Sequence, residues 1–129
     1  MMNLYLAMAV SFVAASLTDW LFMGVLFHAR YNAFPEVWRD AKDERQRIII
    51  AQAFSAMTAI GFVVLANALM LTTLRTTLLL AIAIWIIGPL PLLLGNHLFI
   101  KLDPRVTFSH AAGWLAKLVL IGTVTAVIL

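Results

Sequence analysis

Four long apolar runs occupy most of the chain, at residues 3–28, 48–71, 75–98 and 107–129. An α-helix needs about 20 mostly apolar residues to cross the hydrocarbon core of a bilayer, and each run reaches that length. Hydrophobic residues make up 64% of the 129 residues and charged residues 12%, whereas soluble domains average roughly half and a quarter. The sequence therefore predicts an all-α integral membrane bundle of four transmembrane helices, forming a single domain over residues 1–129.

The connections between these runs are short or charged. The segments TTLRTT, before the third run, and KLDPRVT, before the fourth, leave no room for a further domain. Helices joined by such segments are expected to be antiparallel neighbours. In the longer loop 29–47, Pro35 can begin a short helix, and Phe34 and Trp38 are expected at the level of the lipid headgroups.

Basic residues are concentrated on one side of the predicted membrane. The loop 29–47 carries five of the nine, and the connection after the third run carries Lys101 and Arg105, whereas Arg75 lies on the opposite side. The positive-inside rule predicts that the basic side is cytoplasmic, with both termini outside, in a bacterial inner membrane. Because membrane-flanking loops account for the net charge of +3, the lipid bilayer is the expected partner and nucleic acid is not.

The sequence also narrows the chemistry by what it lacks. The chain has no cysteine, which excludes disulfides, thiolate metal sites and cysteine nucleophiles. It contains no Gly-rich phosphate loop, nucleophile elbow or pair of catalytic carboxylates. The pattern therefore assigns no catalytic residue and leans away from an enzyme.

Two ionisable residues lie deep inside the apolar runs. Asp19 is nine residues before His28, or about 13 Å from the basic side, and Lys117 is ten residues after Thr107, or about 15 Å from the same side. A lone charge in mid-bilayer costs about 2.5 to 3.5 kcal/mol, so mutual pairing is the simplest arrangement for both. We predict an Asp19–Lys117 ion pair between the first and fourth helices.

Further polar or irregular residues are expected near the same layer. Pro89 and Pro91 lack amide protons, so they predict a kink in the third helix at about the depth of the pair. On the fourth helix, His110 and Trp114 share a face with Lys117 at about 100° per residue. The predicted binding layer comprises Asp19, Lys117, His110, Trp114, Asn96, Gln52 and Pro89. Such a layer is either a ligand cavity or a set of internal contacts that fixes the helix register.

The three histidines offer a separate alternative. His97 and His110 are both expected near the basic side, where imidazoles can ligate a metal or a haem iron. His28 points about 180° away from Asp19 around the first helix, which weakens a convergent three-histidine site. The sequence therefore favours interfacial hydrogen bonding, with a metal or haem site at His97 and His110 as the alternative.

Both ends of the chain carry residues that resemble a known family. The last third has a proline-containing helix, an Asn-x-Leu-Phe segment and a final helix with a Gly-Trp pair and a late glycine. The first helix has Trp20, Leu26 and Phe27. These features are similar to the DUF1761 family of small four-span bacterial membrane proteins, although Trp20 and Phe27 are one residue further apart than in the family pattern. The matching residues of the last third are Pro89 or Pro91, Asn96, Leu98, Phe99, Gly113, Trp114 and Gly122. The resemblance implies an integral membrane protein of uncharacterised activity and assigns no catalytic residue.

Three functions are compatible with these observations. The first is a membrane-embedded binding or transport module around the Asp19–Lys117 pair, working as a homo-oligomer because four short helices enclose little cavity. The second is a non-catalytic accessory subunit of a larger membrane complex. The third is a haem-binding membrane protein or a membrane enzyme, which rests on His97 and His110 alone.

Overall fold

The computed structural model describes residues 1–33, 35–37 and 41–129. It contains four helices long and apolar enough to cross a membrane: the first span Met2–Leu26, the second span Glu44–Ala68, the third span Leu74–Phe99 and the fourth span Pro104–Ile128. No strand occurs among the described residues. The predicted all-α bundle of four membrane-spanning helices is confirmed.

The first and third spans are not regular α-helices throughout. In the first, the α-helix Met2–Asp19 is followed directly by the π-helix Trp20–Leu26. In the third, the α-helices Leu74–Ile87 and Pro89–Phe99 meet at Gly88. The Gly88 backbone (φ −119°, ψ −92°) leaves the helical region, so the interruption lies at the prolines that predict it.

The connection between the first two spans is partly helical. It contains the short helix His28–Asn32 and the 3₁₀ turns Pro35–Val37 and Ala41–Asp43. Phe34 and Trp38, which the sequence predicts as interfacial anchors, lie outside the described residues.

The helix ends differ from the predicted limits for identifiable reasons. The second span begins at Glu44 rather than at residue 48, because its charged first turn continues the helix beyond the apolar run. It ends at Ala68 rather than 71, since Met70 has a positive φ of 56°. The fourth span begins at Pro104 rather than 107, where the Asp103 carboxylate accepts a hydrogen bond of 2.7 Å from the Arg105 amide. The first span ends at Leu26 rather than 28, because the Phe27 backbone (φ −116°, ψ 10°) leaves the helical region.

The fourth span is the centre of the bundle. It packs extensively against the first and third spans and also touches the second, while the first packs against the second. Small side chains fill the interfaces, which lets the helix backbones approach closely. The buried apolar residues are Ala7, Ala15, Ala59, Phe62, Val63, Ala66, Ala81, Leu118 and Ile121.

Gly122 marks a close approach between the third and fourth spans. A Cβ atom added at this glycine would lie 3.1 Å from the Thr77 carbonyl oxygen and 3.5 Å from the Phe62 ring. Two of the threonine hydroxyl groups in the interfaces donate within their own helices: Thr125 to the Ile121 carbonyl at 2.7 Å and Thr18 to the Ala14 carbonyl at 2.8 Å. The packing of the fourth span therefore fixes the position of its polar side chains relative to the first span.

Candidate functional site

The charged residues of the first and fourth spans form an ion pair. The Lys117 Nζ atom lies 2.6 Å from Oδ1 and 2.8 Å from Oδ2 of Asp19. Such short charge-assisted hydrogen bonds are roughly twice as strong as neutral ones. The predicted Asp19–Lys117 pairing is confirmed, and it joins two residues that are 98 positions apart in sequence.

The second span also contributes a contact to the Asp19 carboxylate. The Ser55 hydroxyl of the second span donates a hydrogen bond to Oδ2 of Asp19. Ser55 lies about 16 Å along its helix from Glu44, and Lys117 about 20 Å along its helix from Pro104, so both belong to one layer. Nothing in the spacing of the sequence identifies Ser55 as a partner of Asp19.

Trp114 covers the lysine. The Lys117 Nζ atom lies 4.6 Å from the centre of the Trp114 ring, within the range of a cation–π interaction. The ammonium therefore has two carboxylate oxygens and one aromatic face around it. These contacts offset part of the cost of placing a lysine side chain at this depth.

The two members of the pair are not equally enclosed. The Lys117 side chain is 7% exposed, whereas the Asp19 side chain is 28% exposed. The carboxylate can therefore be reached at one edge while the ammonium is sealed inside the bundle. This asymmetry is what distinguishes the arrangement from an ion pair closed on both sides.

The reachable carboxylate stands at a change of helix type. The π-helix begins at Trp20, directly after Asp19, and its wider hydrogen bonding continues to the Phe27 amide, which donates to the Phe22 carbonyl at 3.1 Å. Segments of π-helix occur frequently at functional sites. Phe22 packs on Gly113 so closely that an added Cβ would lie 3.3 Å from its ring. The irregular segment is thus held against the fourth span, about one turn from Lys117.

His110 lies on the basic side of the pair. It is seven residues before Lys117 on the same helix, about 10 Å along the axis, and it is half-buried. The structure brings Asp19, Lys117 and Trp114 into contact and places His110 on the helix that carries Lys117. That these residues bind a ligand stays a prediction.

The other predicted members are less closely associated with the pair. Gln52, Pro89 and Asn96 are half-buried. Within residues 1–33, 35–37 and 41–129, no hydrogen bond or ion pair joins them to Asp19 or Lys117. Their participation in binding stays a prediction.

The remaining histidines make separate local contacts. His97 Nδ1 lies 3.3 Å from the Thr107 hydroxyl, and His28 Nε2 lies 2.9 Å from the Asn32 side-chain nitrogen. No cluster of three or more His, Cys, Asp or Glu residues that could hold a metal ion occurs in the described part of the chain. The geometry therefore adds nothing to the alternative of a metal or haem site at His97 and His110.

Together, the fold and the site define a class of protein: a four-span helical membrane bundle organised around an intramembrane ion pair. The chain belongs to the DUF1761 family, described as a protein of unknown function, whose sequence pattern matches residues 6–126. The family resemblance of the two ends is thereby confirmed, and the match includes Asp19, Ser55 and Lys117. No curated protein and no solved structure matches the chain.

Proposed function

We propose that this protein is a membrane-embedded binding or transport module whose ligand engages the Asp19 carboxylate. The observation that carries the proposal is the unequal enclosure of the ion pair, with Lys117 sealed and Asp19 reachable. A pair that served only to join two helices would need no opening at either side chain, whereas a ligand requires one. The open edge therefore supports a role beyond helix register.

The chemistry of the site indicates what kind of ligand fits. A carboxylate is an acceptor only, so the ligand group that approaches it is a hydrogen-bond donor or a cation. Lys117 and Ser55 already occupy part of the acceptor capacity, which means that a cationic ligand would compete with Lys117 for Asp19. The surrounding helices present apolar side chains, so the rest of the ligand is expected to be apolar.

Ligand retention during purification tests this proposal. Wild type and the Asp19→Asn/Lys117→Met double variant are purified from membranes of the natural host in mild detergent, and their small-molecule content is compared by untargeted mass spectrometry. We expect a compound with a donor or cationic group that the wild type retains and the double variant loses. The double variant removes both charges together, so no unpaired charge remains in the bundle.

Two comparisons make the result decisive. The Lys101→Met variant, which removes an exposed lysine outside the spans, should retain the compound as wild type does. If wild type and the double variant carry the same compounds, the pair does not bind a ligand and the proposal fails. If only the wild type retains a compound, the flux of that compound into proteoliposomes distinguishes transport from binding alone.

A non-catalytic accessory subunit is the second candidate, favoured by the low burial of the third span. In the 18-residue apolar stretch of Leu74–Phe99, 6% of the residues are buried, compared with 33% in the corresponding stretch of Pro104–Ile128. The exposed surface of the third span is available to another helix. That helix could belong to a second copy of this protein, as the binding module would require, or to a different membrane protein. Mass analysis of the natively purified protein separates the two: a homo-oligomer supports the module, and a stoichiometric foreign subunit supports the accessory role.

We further propose that the protein lies in a bacterial inner membrane with both termini outside the cytoplasm. The basis is the end of the bundle that carries Arg30, Lys42, Arg45, Lys101 and Arg105, here termed the basic end, which the positive-inside rule assigns to the cytoplasm. The chain has no cysteine, so single substitutions give a label without background. In intact cells, a membrane-impermeant maleimide should label Arg75→Cys, and it should label Lys42→Cys only after the cells are opened. The reverse pattern would invert the topology.

A further inference from the structure

A pocket of about 370 Å³ lies at the basic end, between the end of the first span and the start of the fourth. Its volume is within the range of roughly 300 to 1,000 Å³ that is typical of small-molecule sites. The pocket is distinct from the Asp19–Lys117 layer, because none of its lining residues belongs to that layer. The lining residues are Leu26, Phe27, Arg30, Pro104, Arg105 and Phe108.

The charge of this pocket is positive. Arg30 and Arg105 both line it and both are exposed. Among the described residues, neither guanidinium forms an ion pair, and the nearby Asp103 carboxylate accepts its hydrogen bond from the Arg105 amide. Two guanidinium groups facing one cavity favour a ligand with several acceptor oxygens, and phosphate matches their planar donor geometry.

The apolar part of the lining indicates where such a phosphate comes from. Leu26 is the last residue of the first span and Pro104 the first residue of the fourth, so the pocket lies at the ends of two spans, where the hydrocarbon core is expected to end. Leu26 and Phe108 are 58% and 66% exposed, and they continue the lipid-facing surface of the spans. A phosphate bound to the two arginines would therefore lie at headgroup depth, with apolar surface directly beside it.

We propose that this pocket binds the headgroup phosphate of an anionic phospholipid, whose acyl chains lie along Leu26 and Phe108. Basic pockets between transmembrane helices on the cytoplasmic side are suited to acidic headgroups. The site is independent of the proposed function at Asp19, so either assignment can stand without the other.

Lipid binding is measured by native mass spectrometry of the full-length protein with phosphatidylglycerol or with phosphatidylcholine of the same acyl chains. Wild type should retain phosphatidylglycerol preferentially. The Arg30→Gln/Arg105→Gln variant should lose roughly thirtyfold in that preference, since each basic residue near an anionic surface contributes about a factor of five. The matched control is Arg45→Gln, an exposed arginine of the basic end outside the pocket, which should keep the wild-type preference.

Three results would overturn the proposal. The first is an equal loss of preference in Arg45→Gln, which would indicate diffuse surface charge. The second is an unchanged preference in the double variant, provided that its thermal unfolding matches wild type. The third is displacement of phosphatidylglycerol by millimolar glycerol phosphate, which would show that the pocket takes a soluble phosphate. Failure of glycerol phosphate to displace the lipid, together with the thirtyfold loss, supports the lipid site.

Discussion

Replacing Asp19 by asparagine is expected to lower the free energy of unfolding by about 3 kcal/mol, because removing one member of a buried pair leaves the other charge uncompensated. The remaining charge would be Lys117, whose side chain is 7% exposed. Trp114 offers it only a cation–π contact, and Ser55 loses the carboxylate to which it donates. The effect is measured by titrating the protein in mixed micelles with sodium dodecyl sulfate and following tryptophan fluorescence.

The partner substitution should cost less. In Lys117→Met, the remaining carboxylate keeps its hydrogen bond from Ser55 and is 28% exposed, so we expect a loss of about 2 kcal/mol. The Asp19→Asn/Lys117→Met double variant should lie within about 1 kcal/mol of wild type, since it removes the ionic attraction and the desolvation cost of both charges together. The matched control, Lys101→Met, removes an exposed lysine and should change stability by less than about 0.5 kcal/mol.

The coupling energy between Asp19 and Lys117, obtained from the single and double variants, shows whether the ion pair stabilises the fold or serves binding. If the losses of the single variants simply add in the double variant, the two side chains do not interact and the ion pair contributes nothing to folding. If the double variant is as stable as wild type but no longer retains a ligand, the pair is dispensable for the fold and needed for binding. That combination would favour a functional reason for placing two charges in the membrane.

The ion pair could be predicted from sequence because depth in a membrane follows from residue count. The bilayer fixes where each span begins and ends, so positions along two helices can be compared at about 1.5 Å per residue. A single charge at that depth is energetically costly, so two opposite charges at the same depth are expected to pair. Four spans and one pair could therefore be obtained without any knowledge of helix packing.

Ser55 could not be identified in the same way. A hydroxyl inside a helix usually donates to a carbonyl one turn earlier, as Thr18 does with Ala14 and Thr58 with Phe54. Whether a serine instead reaches another helix depends on how its span is rotated about its own axis. That rotation is set by side-chain packing between helices, which no spacing within a single span reveals.

The π-helix and the arginine pocket were missed for a related reason. Nothing in the segment WLFMGVL distinguishes a π-helix from an α-helix, and its geometry accompanies the packing of Phe22 on Gly113. Arg30 and Arg105 were recognised only as topology signals, because their meeting requires that the first and fourth spans be neighbours at the basic end. Depth in the membrane follows from residue count, so the sequence indicates it, whereas the rotation and local distortion of a helix depend on how it packs against its neighbours.

Replacing Gly122 by leucine is expected to destabilise the protein by about 2 kcal/mol, in the range that overpacking a close interface costs. The first added carbon would already lie 3.1 Å from the Thr77 carbonyl oxygen and 3.4 Å from its carbonyl carbon. These atoms are backbone, so no rotamer change can move them and the third span must shift away from the fourth. Gly122→Ala should cost less, because its single carbon requires the neighbour to move by only a few tenths of an ångström.

Gly61→Leu is the matched control, because a Cβ added at Gly61 has no atom within 4 Å. Gly61 is exposed on the second span, so the larger side chain would enter lipid and should leave stability unchanged or slightly raised. A second variant identifies the obstructing atom: trimming Thr77 to alanine in the Gly122→Leu background should not restore stability, since the conflict is with the carbonyl. Recovery in that variant would place the clash at the Thr77 side chain instead. An equal loss in Gly61→Leu would mean that any added bulk perturbs the bundle, and the close approach of the third and fourth spans would then not be the cause.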